Sequence, residues 1–447
     1  MKLTVIGTGY VGLCQGAAFS DVGHNVTCMD VDEAKISMLN DFAYGKSNML
    51  PIFEPGLNEL ISKNTNLGRL NFTTNLEEAI NGADVVFIAV GTPPNDEGKA
   101  DLSALKTVCK NIGSVYDNIN QDYIIVATKS TVPVGTYKVV KEIISSQTDK
   151  DFSVVSNPEF LAQGRAVKDC IKPSRIVIGT EDARALKVML EVYRPYEKQG
   201  VPIYLMNNVE AELHKYAANS YLAAQVSLTN NFANLAKIVG ADWAKVKEAV
   251  LADPRVGRFV HSSPGFGGSC FEKDVEQLTH TMDEYGADST LLKEVLRQNR
   301  LQKELMPKYV KNYFGNLDGK VFALWGLAFK PETNDMRSSA SIPLVKRLTE
   351  KGAKIKAYDP AAINEAKKVF GDNRLIEYVH DKYNALEGAD ALIVMTEWRE
   401  FRSPDFSLIK NTLKNPVIFD GKDLYTLEEM KQFSLNYITI GKKDFIQ

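Results

Sequence analysis

Apolar and polar positions follow two rhythms along the chain. The runs KLTVIG, NVTCMD ending on Asp30, ADVVFIAVGTPP, YIIVATKSTVPVGT, FSVVSNPEF, RIVIGT and PIYLM are short and apolar, with helical spacing between several of them. Strands alternating with helices in this way predict a parallel sheet covered on both faces. After the first strand the helix-like run extends from Leu13 to Val22. The rhythm changes from Asn208 to about Gly240, where NVEAELHKYAANSYLAAQVSLTNNFANLAKIVG has no proline and apolar residues at helical spacing, which predicts one long connecting helix. Its alanines, with Asn219, Ser220, Asn230, Asn231 and Asn234 among them, suit close packing on several sides, a subunit interface being one way to provide it.

The last third echoes the first. GHNVTCMD at 23–30 resembles GAKIKAYD at 352–359, and ADVVFIAVGT at 83–92 resembles ADALIVMTEW at 389–398, so a second Rossmann-like sheet is predicted. Its first strand is KVFALWGLAF, but the turn that follows reads KPETNDMRSSAS and has no glycine fingerprint. That domain is expected to bind something other than a whole dinucleotide. Lys330 and Arg337 stand at the turn, where cations either meet phosphate oxygens or remain ordinary surface charges.

Composition narrows the class. A chain of 447 residues exceeds the usual single core, which predicts two or three domains. The 44% hydrophobic and 24% charged shares describe a globular protein, and a net charge of -3 argues against a broad nucleic-acid surface. The opening strand breaks at glycine with no signal-peptide pattern, and no apolar run is long enough to span a bilayer, so no membrane and a cytoplasmic location are expected. Cysteines at 14, 28, 109, 170 and 270 show neither paired nor metal-ligand spacing, which predicts reduced thiols and no metal.

Candidate chemistry begins at the amino terminus. In GTGYVG, Gly7 permits a tight turn, Gly9 lets backbone approach a pyrophosphate and Gly12 allows close helix-to-strand packing. Asp30, at the end of the second strand, can accept ribose hydroxyls and repel a 2'-phosphate, which favours NAD over NADP. Several strands end in small polar tips, at 91–94, 130–131 and 157–159, where open α/β sheets place ligands. Lys215 and Asn219, four apart on the long helix, share one face.

Another stretch, GFGGSCFEKD at 265–274, sets Cys270 among glycines with Lys273 and Asp274 just after it. Local N–H groups and a cation favour thiolate, so Cys270 reads as an activated nucleophile; a small buried hydrophobe is the competing reading. A nicotinamide site tips the choice. Hydride removal turns an alcohol into an aldehyde, and thiol addition turns the aldehyde back into a hydride donor, so thiol plus NAD points to oxidation from alcohol to acid.

The motifs GTGYVG, GTPP, KSTVPVGT, NPEFLAQGRAVKD, KYAANSYLA, GFGGSCFEKD and GLAFKPETNDMRSS occur in an order that resembles the UDP-glucose/GDP-mannose dehydrogenase family over essentially the whole chain. The resemblance implies an α/β fold of two Rossmann-like, doubly wound parallel-sheet domains joined by a long central helix. Residues 1–200 would bind NAD, 201–305 would form the central dimerising region with the Cys270 loop, and 306–447 would bind UDP. It implies conversion of UDP-glucose to UDP-glucuronate with two NAD consumed, in a homodimer or higher homo-oligomer.

Residue by residue, the resemblance implies Cys270 as nucleophile, Asp274 in water activation, and Lys215 and Asn219 as donors to the developing oxyanion. Thr131 and Glu159 match positions that hold a water and move a proton. Gly7, Gly9, Tyr10, Val11, Gly12, Asp30, Lys35, Thr92, Ser130, Thr131 and Arg337 match cofactor contacts. Phe160, Leu161, Gln163, Lys215, Asn219, Arg255, Phe259, His261, Gly267, Phe329, Lys330 and Lys422 match nucleotide-sugar contacts, Arg255 reaching from a neighbouring subunit. Three positions depart from the family's pattern: Gln163 stands where Glu is frequent, His261 where Lys is, and Lys422 where Arg is. GDP-mannose and UDP-N-acetylhexosamines therefore stay open as substrates. A single-step hydroxy-acid dehydrogenase and a non-catalytic nucleotide-sugar sensor are the readings from other classes.

Overall fold

The computed structural model describes residues 1–257 and 261–447. The chain divides into two compact units, Met1–Ala218 and Asn219–Gln447.

The first unit is built on an eight-stranded sheet. In spatial order its strands are Leu70–Thr73, Asn25–Met29, Lys2–Ile6, Val85–Ile88, Tyr123–Thr128, Asp151–Ser156, Ile176–Gly179 and Ile203–Met206. The order reverses beside Lys2–Ile6, and the carboxyl ends there form the crevice in which such sheets bind ligands. Both faces are covered because side chains alternate across each strand. Leu3, Val5 and Phe87 join Leu13, Phe19 and Tyr193 on one side, while Ile6, Val86 and Ile88 join Leu105, Ile112 and Tyr116 on the other. The sheet is parallel, as expected, except at one join. Asp151–Ser156 meets Ile176–Gly179 antiparallel, through the single pair Ser156 and Gly179. Only a short helix, Ala166–Ile171, lies between them, and the chain turns back on itself beyond the 157–159 tip.

The first helix is Tyr10–Asp21, three residues longer at its start than the apolar rhythm predicts. Gly9 is its N-cap, so the fingerprint runs from the turn at Gly7 and Thr8 into the first turn of the helix. The long helix runs over Asn208–Val239, as its pattern predicts.

The second unit holds a six-stranded, wholly parallel sheet in the order Ile376–Tyr378, Lys354–Tyr358, Val321–Trp325, Ala391–Val394, Val417–Asp420 and Asn436–Thr439. Phe322 and Leu324 face one core, Ala323 and Trp325 the other. The echo of the first sheet is real down to the acid that ends its second strand. Asp359 is 1% exposed. Its two oxygens accept from Leu327 and Ala328 N–H at 2.7 and 3.0 Å, from Ala361 and Ala362 N–H at 2.8 Å each, and from the Trp398 indole at 3.2 Å. Among the described residues, no helix is long and apolar enough to cross a membrane.

Replacing Asp359 with Ala strands these buried donors. We expect calorimetry to show the second unit's transition lowered by roughly 5–10 °C, with the first unit's transition unmoved.

Candidate active site

The nucleotide end of the site is set by backbone contact. Gly7 has φ +101°, and a Cβ there would lie 2.8 Å from the Ala89 carbonyl oxygen. A Cβ on Gly12 would lie 1.8 Å from the Gly7 carbonyl oxygen, so helix and turn touch without room for a side chain. Gly9 is different. Nothing lies within 4 Å of where its Cβ would be, which leaves open space in front of the free N–H groups of the first helical turn.

Asp30 closes the same turn: its Oδ2 accepts from the Thr8 N–H and hydroxyl at 2.8 Å each, and its Oδ1 from Asp32 N–H at 3.1 Å, with Lys35 at 3.8 Å. Burial works to raise its pKa, but these hydrogen bonds and the Lys35 charge outweigh it and hold the carboxyl below the ordinary aspartate value. It is a carboxylate at neutral pH with acceptor capacity to spare. The open space at Gly9, the anion-seeking helix end and this carboxylate fit a dinucleotide with an unphosphorylated ribose. At the adjoining tips, Thr92 Oγ1 donates to the Thr131 carbonyl at 2.8 Å and Ser130 Oγ to the Val90 carbonyl at 2.6 Å.

Beyond Asp151–Ser156 the chain places Glu159 against Lys215 of the long helix. The Lys215 ammonium, 3% exposed, donates to the Glu159 carbonyl at 2.7 Å and to its Oε1 at 2.9 Å. Glu159 Oε2 accepts from Leu161 N–H at 2.7 Å. Next to it the Phe160 ring lies under the Arg175 guanidinium at 3.7 Å and edge-on to His214 at 5.3 Å. Gln163 is buried, and among the described residues its Oε1 accepts no hydrogen bond.

Two buried acids of this unit escape a reading of motifs. Glu54 accepts from Gly164 and Ala166 N–H at 2.8 and 2.6 Å and so fixes the turn after Leu161. Glu212, one helical turn before Lys215, accepts from Gly135 and Tyr137 N–H at 2.6 and 2.8 Å, tying the long helix to the start of Thr136–Ser145. Burial pushes the Glu212 pKa up to about 7, against the pull of those hydrogen bonds. Its spacing from Lys215 is the only sequence signal it leaves.

The cysteine loop belongs to the second unit. Cys270 is half-buried and is the N-cap residue of the helix Phe271–Glu284. Cys14, Cys28, Cys109 and Cys170 are buried, and burial pushes the thiols of Cys28, Cys109 and Cys170 up to about 12 and that of Cys14 well above its ordinary value. One turn past Cys270, the fully buried Asp274 accepts from Asn219 Nδ2 at 2.6 Å and pairs with Lys273 at 2.5 Å. Before it, Gly268 N–H donates to the Arg337 carbonyl at 2.7 Å, and a Cβ on Gly268 would strike the Phe329 ring at 2.8 Å.

The remaining expected contacts are engaged by neighbours. Arg337 chelates Asp335 with 2.6 to 3.1 Å contacts, and Lys330 lies 5.5 Å from the Phe329 ring centre. Lys422 pairs with Glu397 at 2.8 Å. His261 contacts Lys247 at 3.3 Å, and burial together with that charge lowers its pKa. Arg255 is exposed and holds Asp253. Gly267 packs where a Cβ would meet the Ser338 carbonyl at 2.5 Å. Phe259 lies outside the described residues. Among the described residues, no cluster of His, Cys, Asp and Glu is arranged to hold a metal ion.

Comparison with known proteins agrees along the whole length. The UDP-glucose/GDP-mannose dehydrogenase family's NAD binding domain matches residues 1–197, its central domain 209–301 and its UDP binding domain 323–427. UDP-glucose 6-dehydrogenase TuaD of Bacillus subtilis is 40% identical over 444 residues, covering 99% of this chain and 93% of that protein. UDP-glucose 6-dehydrogenase of Rhizobium meliloti is 42% identical over 450 residues, covering 99% and 100%. A solved UDP-glucose dehydrogenase from the hyperthermophilic archaeon Pyrobaculum islandicum matches with a TM-score of 0.89 at 35% identity, covering 98% of this chain and 97% of that one.

Two outcomes are expected. Gly12→Ala, which sets a methyl against the Gly7 carbonyl, should weaken NAD binding in calorimetric titration by more than about tenfold. Glu212 has a folded-state pKa above its unfolded one, so its contribution to stability is full below the ordinary glutamate value and is lost as pH rises through about 7. The melting temperature of Glu212→Gln, followed from pH 5 to 8, should lack that component of the decline.

Proposed function

The chain belongs to the UDP-glucose/GDP-mannose dehydrogenase family, and from that premise we propose that it oxidises C6 of UDP-glucose to the carboxylate of UDP-glucuronate, with two NAD reduced per sugar. The observation that carries this reading is Cys270. It is the one cysteine of the five that is not buried, and it stands at the start of a helix whose first turn holds an inward-facing, doubly hydrogen-bonded aspartate.

Bound NAD accepts one hydride in each of the two oxidations. The residues of the chain do the rest. Gly7, Gly9, Gly12 and Asp30 hold the cofactor; the alcohol loses its proton toward a water kept by Thr131 and Glu159, and its hydride leaves to give the aldehyde. The Cys270 sulfur adds to the aldehyde carbon, and the oxyanion that forms is met by the donors of Lys215 and Asn219. Loss of the second hydride from this thiohemiacetal leaves a thioester. Water, oriented by Asp274, cleaves it, releasing the carboxylate and returning the thiol.

UDP-glucose is favoured over GDP-mannose and the acetylated sugars by the names of the similar proteins and by a GGSCF loop unlike the GGHCIP style of the N-acetylhexosamine branch. A nucleotide-sugar sensor would need none of Cys270, Lys215 and Asp274. A homodimer or higher homo-oligomer in the cytoplasm completes the reading. Its support is the long helix, where Tyr221, Leu228, Phe232 and Leu235 are exposed at spacings that place them along one side.

The test is a count. With UDP-glucose limiting and NAD in excess, NADH absorbance at completion should give two NADH per sugar, and one would remove the role assigned to Cys270. A Cys270→Ala protein should release no UDP-glucuronate at the normal rate. In sedimentation, paired Leu228→Glu and Leu235→Glu substitutions should shift dimer toward monomer.

A further inference from the structure

A second buried lysine stands behind Glu159, outside every role assigned so far. Lys129 follows the strand Tyr123–Thr128 and is 4% exposed. Its ammonium donates to the Asn157 carbonyl at 3.3 Å, to Asn157 Oδ1 at 3.1 Å and to the Tyr193 hydroxyl at 3.4 Å. Among the described residues it makes no ion pair, and all three partners are neutral. Burial pulls its pKa down to about 8, so it remains charged at neutral pH.

An ammonium without a carboxylate is an expensive way to fill a core, since a thioether of similar length would fit with no desolvation cost. Its placement explains the expense. Asn157 precedes Pro158, whose nitrogen has no hydrogen to close the turn. The turn is instead pinned from its sides: Asn157 N–H donates to the Thr128 carbonyl at 2.9 Å, its Nδ2 to the Val177 carbonyl at 2.7 Å, and Tyr193 donates to its Oδ1 at 2.5 Å. Lys129 takes the Asn157 carbonyl at one end, and Lys215 takes the Glu159 carbonyl and carboxylate at the other.

We propose that Lys129 is a positioning residue that grips the Asn157-Pro158-Glu159 turn and thereby keeps the Glu159 carboxylate in register with Lys215. The assignment rests on the reading above in which Glu159 and Lys215 serve the oxidation. It goes beyond that reading in giving the charge of Lys129 a purpose. The charge orients two carbonyl dipoles of one residue at once, which a neutral side chain of the same shape does not do.

The experiment is Lys129→Met in the full chain, with Tyr193→Phe as the milder companion. Removing a buried charge that forms no ion pair should leave the melting temperature unchanged or raise it. Activity should move the other way, with kcat on UDP-glucose down about a hundredfold, KM for NAD unchanged, and Tyr193→Phe intermediate. A crystal structure of Lys129→Met should show Glu159 displaced from Lys215. If Lys129→Met melts well below the parent and Tyr193→Phe keeps full kcat, Lys129 is only structural and the proposal is wrong. An unmoved turn in the crystal also overturns it. That last result stands even if the parent protein fails to oxidise UDP-glucose, which would count against the proposed function and leave the positioning of the turn decided by the crystal structure.

Discussion

A single carboxylate at the end of the second strand organises each half of the chain. Asp30 and Asp359 stand at equivalent places in two parallel sheets and perform the same task, accepting N–H groups from the turn after the first strand. What differs is how much of the carboxylate the turn consumes. Asp30 receives Thr8 and Asp32 and keeps acceptor capacity toward the open space by Gly9. Asp359 receives four backbone N–H groups and the Trp398 indole and is sealed from solvent. A ribose can approach the first and not the second. One sheet therefore retains a dinucleotide crevice while its twin has turned the same acid into internal structure.

The interior of the first unit gathers an unusual amount of charge at one place. Lys129, Glu159, Glu212 and Lys215 are all buried at the carboxyl ends of Tyr123–Thr128 and Asp151–Ser156. Buried charges contribute little to stability when paired and cost a good deal when they are not. Here each is held by backbone: Lys215 and Lys129 by carbonyls, Glu159 and Glu212 by N–H groups. The peptide dipoles that solvate them are fixed before any ligand arrives, which is the condition under which polar groups can stabilise charge developing on a substrate.

What could be read from the sequence follows from how local each requirement is. Gly7 and Gly12 answer to close backbone contacts and Gly9 to open space at the helix start, all within one short segment, so their spacing announced the fingerprint, and the long helix was legible because its rhythm runs unbroken over Asn208–Val239. Cys270 stood apart by its glycines. By contrast, the antiparallel join of Ser156 to Gly179 leaves no mark on apolar patterning, since a strand buried on both faces reads alike in either direction. Glu54 and Glu212 find their partners across long stretches of chain, and nothing near either acid signals the N–H groups it will meet. The commitments of Arg337 to Asp335 and of Lys422 to Glu397 were likewise hidden, and a charge that looked available is engaged.

The setting of Cys270 shows why a loop so rich in glycine is needed to present one thiol. A helix N-terminus offers free N–H groups, and Cys270 takes the cap position there with Asp274 N–H bonded back to its carbonyl. To bring a cysteine to that position, the preceding chain must lie flat on the 329–338 turn. Gly267 does so where a Cβ would meet the Ser338 carbonyl oxygen at 2.5 Å, and Gly268 where one would meet the Phe329 ring at 2.8 Å. Gly268 also holds φ +89°, a conformation that L residues rarely adopt. The Cys270 thiol is thus placed by close contact of backbone with backbone and with an aromatic ring, a rigid floor of the kind that the proposed nucleophile would require.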